Sequence, residues 1–323
     1  MRLNMIFSNL ILCIASFMLF FMLSEIAIRI YAHFNLIYDI EMARYAKELK
    51  RTSINPKIAH EHKLNGVAHL MGTNIRINSD GLRDRNYPVE RTNKYRIIFL
   101  GDSLTFGWGV NQDDTFENII ETEINKQQPI EIINFGVGNY NSEQQTHQFI
   151  EKGLKYHPDS VVVFWFINDA EPTPNKSEWG IIQYSEFSSY LWSRIRRLGP
   201  KLSITKSYTN YYQSLYEQNA IGWLNAKKAL LLLKLVCKNN NIDLKVVLLP
   251  ELHQLSNFPF KAEYKAMSDY LQSIEIPYLD ITPNFINEFD PKRLWVASDD
   301  AHPNAIGHRL IAQYSKEFIL PTK

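Results

Sequence analysis

The chain has 323 residues, 45% of them hydrophobic and 13% aromatic, which is enough apolar mass for a full α/β core. Its formal net charge is +1 with no dense run of like charge, so it lacks the electrostatic footprint of a nucleic-acid-binding protein. The two cysteines do not point to a disulfide, because Cys13 lies in an apolar segment and Cys237 in a helix-like stretch far from it. His60-x-His62 supplies at most half of a metal site and reads as a polar surface pair, so neither a metal nor a cofactor is expected.

Met5 to Leu23 carries no charge and is long enough to cross most of a bilayer as a helix. Glu25 and Arg29 follow one helical turn apart and can pair near the interface, so the helix is expected to run past Leu23. A secretory signal peptide is the competing reading. The apolar run exceeds a usual signal core, however, no small-x-small site follows before Glu25, and Leu12 blocks a lipoprotein reading at Cys13. Residues 1–33 are therefore read as an uncleaved transmembrane anchor.

Residues 34–93 form a polar connector with no clear hydrophobic period. Within it Arg76 to Asp84 reads either as a plain turn at Asp80-Gly81 or as a segment that docks on the domain that follows. From residue 95 apolar runs alternate with helical patterns. Strands are expected at 95–100, 130–135, 160–167, 243–249 and 276–281, and helices at 115–127, 142–156, 221–240, 261–273 and 304–318. This alternation implies an α/β domain over 94–323: a doubly wound, flavodoxin-like sheet of five parallel strands. It lapses over 169–220, an insertion with Trp179, Tyr184, Phe187, Tyr190, Trp192, Tyr208, Tyr211, Tyr212 and Tyr216. Those rings can close a small core or stack on sugar rings beside a pocket.

Gly101-Asp102-Ser103-Leu104-Thr105 follows the first strand, and Asp299-Asp300-Ala301-His302 stands near the far end. A serine beyond a strand's carboxyl end, with a His and an Asp on a distant loop, supplies a nucleophile, a general base and an orienting carboxylate. With Asn134-Phe135-Gly136-Val137-Gly138-Asn139-Tyr140 and Phe166-Ile167-Asn168-Asp169, these blocks resemble the SGNH (GDSL) hydrolase family over roughly the last two-thirds of the chain.

The resemblance implies Ser103 as nucleophile, His302 as base and, by the family's Asp-x-x-His spacing, Asp299 as its partner. It also implies an oxyanion hole made by the main-chain N–H groups of Ser103 and Asn139 and the side-chain amide of Asn168. Asn139 stands where the family has glycine, with Gly138 as the alternative donor. The Arg76–Asp84 segment further resembles one in membrane-anchored relatives from bacterial surface-polysaccharide pathways.

The expected activity is hydrolysis of O-acyl esters, acetyl esters among them, on a carbohydrate. An O-acyltransferase acting on a surface polysaccharide shares the chemistry and differs in the acceptor. A non-catalytic carbohydrate-binding protein is the reading from another class. The expected location is the bacterial cytoplasmic membrane, single-pass, with the catalytic domain outside, although Arg29, Arg44, Lys47, Lys50 and Arg51 after the span outnumber Arg2 before it.

Overall fold

A computed structural model of the chain describes residues 2–174, 180–201, 205–286 and 290–320. The chain opens with α1 (Arg2–Phe34), one helix of 33 residues, or roughly 50 Å at the usual rise per residue. It is long and apolar enough over Met5–Phe34 to cross a membrane. Arg29 donates to Glu25 at 2.8 Å, as the spacing predicts. The helix stops at Asn35, whose side-chain amide donates back to the Tyr31 carbonyl at 2.9 Å.

The next segment is more ordered than its sequence suggests. It contains α2 (Tyr38–Leu49), a ladder of β1 (Lys50–Thr52) with β2 (His60–His62), and a hairpin of β3 (Val67–Leu70) with β4 (Thr73–Arg76). The hairpin turns on Met71 and Gly72, with φ of 48° and 72°, the pair of left-handed residues that a tight antiparallel hairpin requires. No apolar stripe marks α2, because its buried set runs Ile40, Glu41, Met42, Ala43, Tyr45 and Leu49, more than one side of the helix and one of them a carboxylate.

The main α/β layer begins with β5 (Tyr95–Gly101), α3 (Ser103–Phe106), α4 (Phe116–Ile124), β6 (Ile130–Asn134), α5 (Ser142–Gln148) and β7 (Ser160–Trp165). The insertion supplies α6 (Glu186–Lys201) and α7 (Tyr208–Leu215), after which come α8 (Ile221–Asn239), β8 (Asp243–Leu248), α9 (Lys261–Ser273) and β9 (Tyr278–Asp280). The chain closes with α10 (Thr282–Ile286), the hairpin β10 (Trp295–Ala297) and β11 (Asp300–Pro303), and α11 (Ala305–Ile319).

Five of these strands make one parallel sheet in the order β6-β5-β7-β8-β9, the flavodoxin-like arrangement expected from the alternation. Alternate residues feed opposite faces. Ile98, Leu100, Ile133, Val161 and Val163 join side chains of α8 and α9, whereas Ile97, Phe99, Ile132, Val162 and Phe164 join those of α4 and α11.

The insertion divides in two. Tyr212 and Tyr216 pack on the main core, and the Tyr216 hydroxyl donates to the Ile167 carbonyl at 2.8 Å, so this half closes a small core as such rings usually do. The other half, α6, lies against α1 and α2: Phe187 meets the rings of Phe20 and Phe21, and Arg44 of α2 bridges Glu41 and Glu186. Trp179 lies outside the described residues.

The segment Arg76–Asp84 docks on the main α/β layer through Arg83. Its side chain is 1% exposed and donates to the carbonyls of Phe106 at 3.0 Å, Val110 at 2.6 Å, and Gly107, where α3 ends and the next loop begins. Burial with no bonded carboxylate pushes this guanidinium down to about 10. Arg83→Leu leaves three carbonyls unpaired, and the full chain is expected to lose on the order of 3 kcal/mol in denaturant or thermal unfolding. Unchanged stability in that variant would contradict the docking role.

Candidate active site

β5 ends against a close approach. A Cβ on Gly101 would stand 2.0 Å from Thr105 Oγ1, so only glycine lets the strand turn directly into α3. Asp102 caps that short helix, accepting the Leu104 N–H at 2.9 Å, and Ser103 follows as its first residue. Ser103 Oγ lies 2.8 Å from His302 Nε2, although 199 positions separate the two in sequence.

The carboxylate facing His302 is that of Asp300, not Asp299. His302 Nδ1 is 2.5 Å from Asp300 Oδ1, which also accepts the His302 backbone N–H at 3.1 Å. Asp300 Oδ2 accepts from the Trp108 indole at 2.8 Å. The expectation of Asp299 fails because Asp300-Ala301-His302 is extended in β11, where residues two apart share a face. Asp299 falls in the tight turn of the β10–β11 hairpin and is exposed.

These contacts fix the charges. Burial alone lowers the His302 pKa, but the charge and hydrogen bond of Asp300 outweigh it, and the imidazole titrates above its ordinary range. Burial raises Asp300, and the partnership with His302, together with Trp108, reverses that and holds it below the usual carboxylate range. Since Nδ1 faces a carboxylate, Nδ1–H donates there and Nε2 is left to accept from the Ser103 hydroxyl.

The far wall is the loop after β6. Gly138 donates its N–H to Tyr45 Oη at 3.0 Å, and a Cβ there would come within 2.6 Å of the Tyr45 ring. That N–H is occupied. Asn139 takes φ 66°, the left-handed conformation asparagine tolerates, and among the described residues its N–H has no hydrogen-bond partner. Lys50 clamps the turn, donating to the Gly138 carbonyl at 2.7 Å and to Asn139 Oδ1 at 2.8 Å.

His60 and His62 are not the surface pair expected from the sequence. His60 Nε2 lies 3.1 Å from the Gly138 carbonyl, and His62 is 1% exposed, between Tyr45 Oη at 2.7 Å and the Gly81 carbonyl at 3.0 Å. The Gly81 carbonyl can only accept, so His62 Nδ1 donates there and Nε2 accepts the Tyr45 hydroxyl proton. Burial pushes His62 down to about 3, which keeps it neutral in this chain. Asn168, just past β7, donates its side-chain amide to Asp102 Oδ2 at 2.9 Å, which leaves one amide hydrogen free.

Of the sequence-predicted residues, Ser103 and His302 thus come together. Asn168 is tied to Asp102 beside the nucleophile, and Asn139 is bound into the loop that Lys50 and Tyr45 hold. Asp299 does not join His302. Asp300 was passed over in favour of Asp299, and Trp108, Tyr45 and Lys50 were not assigned to the site; only the Asp-x-His alternation within a strand could have signalled the first of them.

The sequence model of the GDSL-like Lipase/Acylhydrolase family matches residues 99–310. No curated protein matches the chain. Among solved structures it is similar to a catalytic mutant of an acetylxylan esterase from Geobacillus stearothermophilus, at 14% identity over 73% of this chain and 98% of that one, with a TM-score of 0.47. It is also similar to an α/β hydrolase from the metagenome of Lake Arreo (13%, 72% and 99%, TM-score 0.46). A GDSL-like lipase from Bacteroides thetaiotaomicron aligns at 16% identity over 72% and 91%, with a TM-score of 0.42.

Ser103 should be labelled by a fluorophosphonate, with a rate that falls as pH drops, because protonated His302 cannot accept the hydroxyl proton. The inflection should lie above the ordinary histidine value of ~6.5. Asp300→Asn should slow labelling by about 10³–10⁴-fold, whereas Asp299→Asn should stay close to the parent rate. The reverse order would restore Asp299 as the partner.

Proposed function

The chain belongs to the GDSL-like lipase/acylhydrolase family and is an ester hydrolase; we propose that it cleaves O-acyl esters, acetyl esters among them, on a carbohydrate, while anchored to a bacterial cytoplasmic membrane by α1. The unbroken line from Ser103 through His302 to Asp300 carries this reading. Ser103 attacks the ester carbonyl as His302 takes its proton, and Asp300 stabilises the imidazolium that forms. The negative oxygen is held by the N–H groups of Ser103 and Asn139 and by the free amide hydrogen of Asn168. The leaving alcohol takes the proton from His302, and water then releases the acyl group by the same steps in reverse order.

The carbohydrate assignment is supported by the aromatic rim. Tyr38 faces His302 with ring centroids 5.9 Å apart, and nearby Tyr208, His253 and Trp295 form a run with spacings of 4.8 and 5.2 Å. Flat rings beside a catalytic base suit the apolar face of a sugar. Uncleaved anchoring is supported by Glu25. Besides Arg29, this residue accepts from Ser185 Oγ at 2.8 Å and from the backbone N–H groups of Glu186 at 3.1 Å and Phe187 at 2.9 Å, which ties α1 to the folded domain.

The test is turnover of the purified full chain on an aryl acetate and on an acetylated oligosaccharide. Ser103→Ala should abolish both, and Asn168→Ala should lower both by about 100- to 1000-fold. Asn139→Gly should keep most activity and Asn139→Pro should lose it, because proline removes the donor. Full activity in Ser103→Ala would refute the mechanism. Accumulation of an acylated added sugar in place of free acid would make the chain a transferase.

A further inference from the structure

The helix α6 is built the wrong way round for a soluble protein. Its buried side is largely polar: Ser189 is 0% and Ser193 5% exposed, beside the Tyr190 ring that packs against Ala32, Ile37 and Ile40. Its outward side is apolar, with Leu191 41%, Ile195 50% and Leu198 51% exposed at positions i, i+4 and i+7, and Trp192 beside them at 41%. Basic residues border that stripe: Arg194 lies over the Tyr190 ring at 4.5 Å, and Arg196 and Arg197 are exposed.

What covers this stripe is indicated by where the helix starts. Phe187, in its first turn, sits on Phe20 and Phe21 at centroid distances of 6.2 and 5.4 Å, near the carboxyl-terminal end of the apolar run of α1. Glu25 accepts the N–H groups of Glu186 and Phe187, so the first turn of α6 is fixed against α1 just where that run gives way to charge. The apolar surfaces of the two helices are therefore continuous. A helix with an apolar stripe, an aromatic residue and flanking arginines, pinned at the end of a membrane span, matches the pattern of one that lies in the bilayer interface.

We infer that α6 lies in the surface of the membrane that α1 crosses, with Leu191, Ile195 and Leu198 among acyl chains and Arg196 at the level of the lipid headgroups. This rests on α1 spanning the bilayer. Asp39 ties α6 to α2 by accepting from Arg197 at 2.5 Å, and the preceding residue, Tyr38, faces His302, so the catalytic base stands close to the same surface.

The test uses the full chain, with Cys13→Ser and Cys237→Ala, reconstituted in phosphatidylcholine–phosphatidylglycerol vesicles and nitroxide-labelled at single cysteines. Labels at Phe17→Cys and Ile195→Cys should both collide with oxygen in preference to a water-soluble nickel chelate, and one at Arg196→Cys should favour the chelate. An Ile195→Cys label that favours the chelate while Phe17→Cys stays in lipid overturns the inference and leaves the anchor standing. Shielding of Ile195→Cys from both reagents also overturns it and assigns the stripe to a protein partner. A Phe17→Cys label open to the chelate removes the anchor and this inference together.

Discussion

Burying five parallel strands on both faces leaves their ends as the places where polar chemistry can stand open. The strand order β6-β5-β7 puts β5 in the middle of a reversal, so the chain leaves β5 and β7 toward the same crevice. Ser103 follows β5, the loop 134–140 follows β6, and Asn168 follows β7. One backbone constraint therefore gathers groups spread over 66 positions. His302 then needs only to be delivered, which the short β10–β11 hairpin does from beyond the sheet.

The hairpin also fixes the largely buried imidazole of His302. Alone, burial would favour neutrality and leave the ring free to rotate. Asp300 binds both the ring and the backbone of His302 and is itself fixed by Trp108, so tautomer and orientation are set before a substrate arrives. The loop opposite is held in the same manner from outside the catalytic layer. A chain of donors runs from Gly138 to Tyr45 to His62 to the Gly81 carbonyl, each member satisfied and each buried, so its members act as a unit.

Much of this was legible in the residues. The apolar runs gave all five strands of the sheet because both faces are buried, which leaves short continuous stretches rich in Val and Ile. The meeting of Ser103 with His302 was legible because both motifs sit where that pattern ends. Asp299 was misjudged because spacing borrowed from a family presumes the backbone between the two residues. Here that backbone is a strand, and a strand reverses the choice between adjacent carboxylates. The segment from Tyr38 to Arg83 was illegible for a different reason. Its structure rests on buried Glu41, His62 and Arg83, polar residues that every sequence rule assigns to the surface.

The contact of Tyr45 with Gly138 also bears on how such a chain can change over generations. The glycine is required because the tyrosine ring fills the space of a side chain, and the tyrosine is oriented by a histidine that in turn needs its own carbonyl. A substitution at any one position alters what the others tolerate. The segment from Tyr38 to Arg83 and the sheet domain therefore meet through packing that neither can reproduce alone. Replacements at positions 45, 62 and 138 should be tolerated together more readily than one at a time.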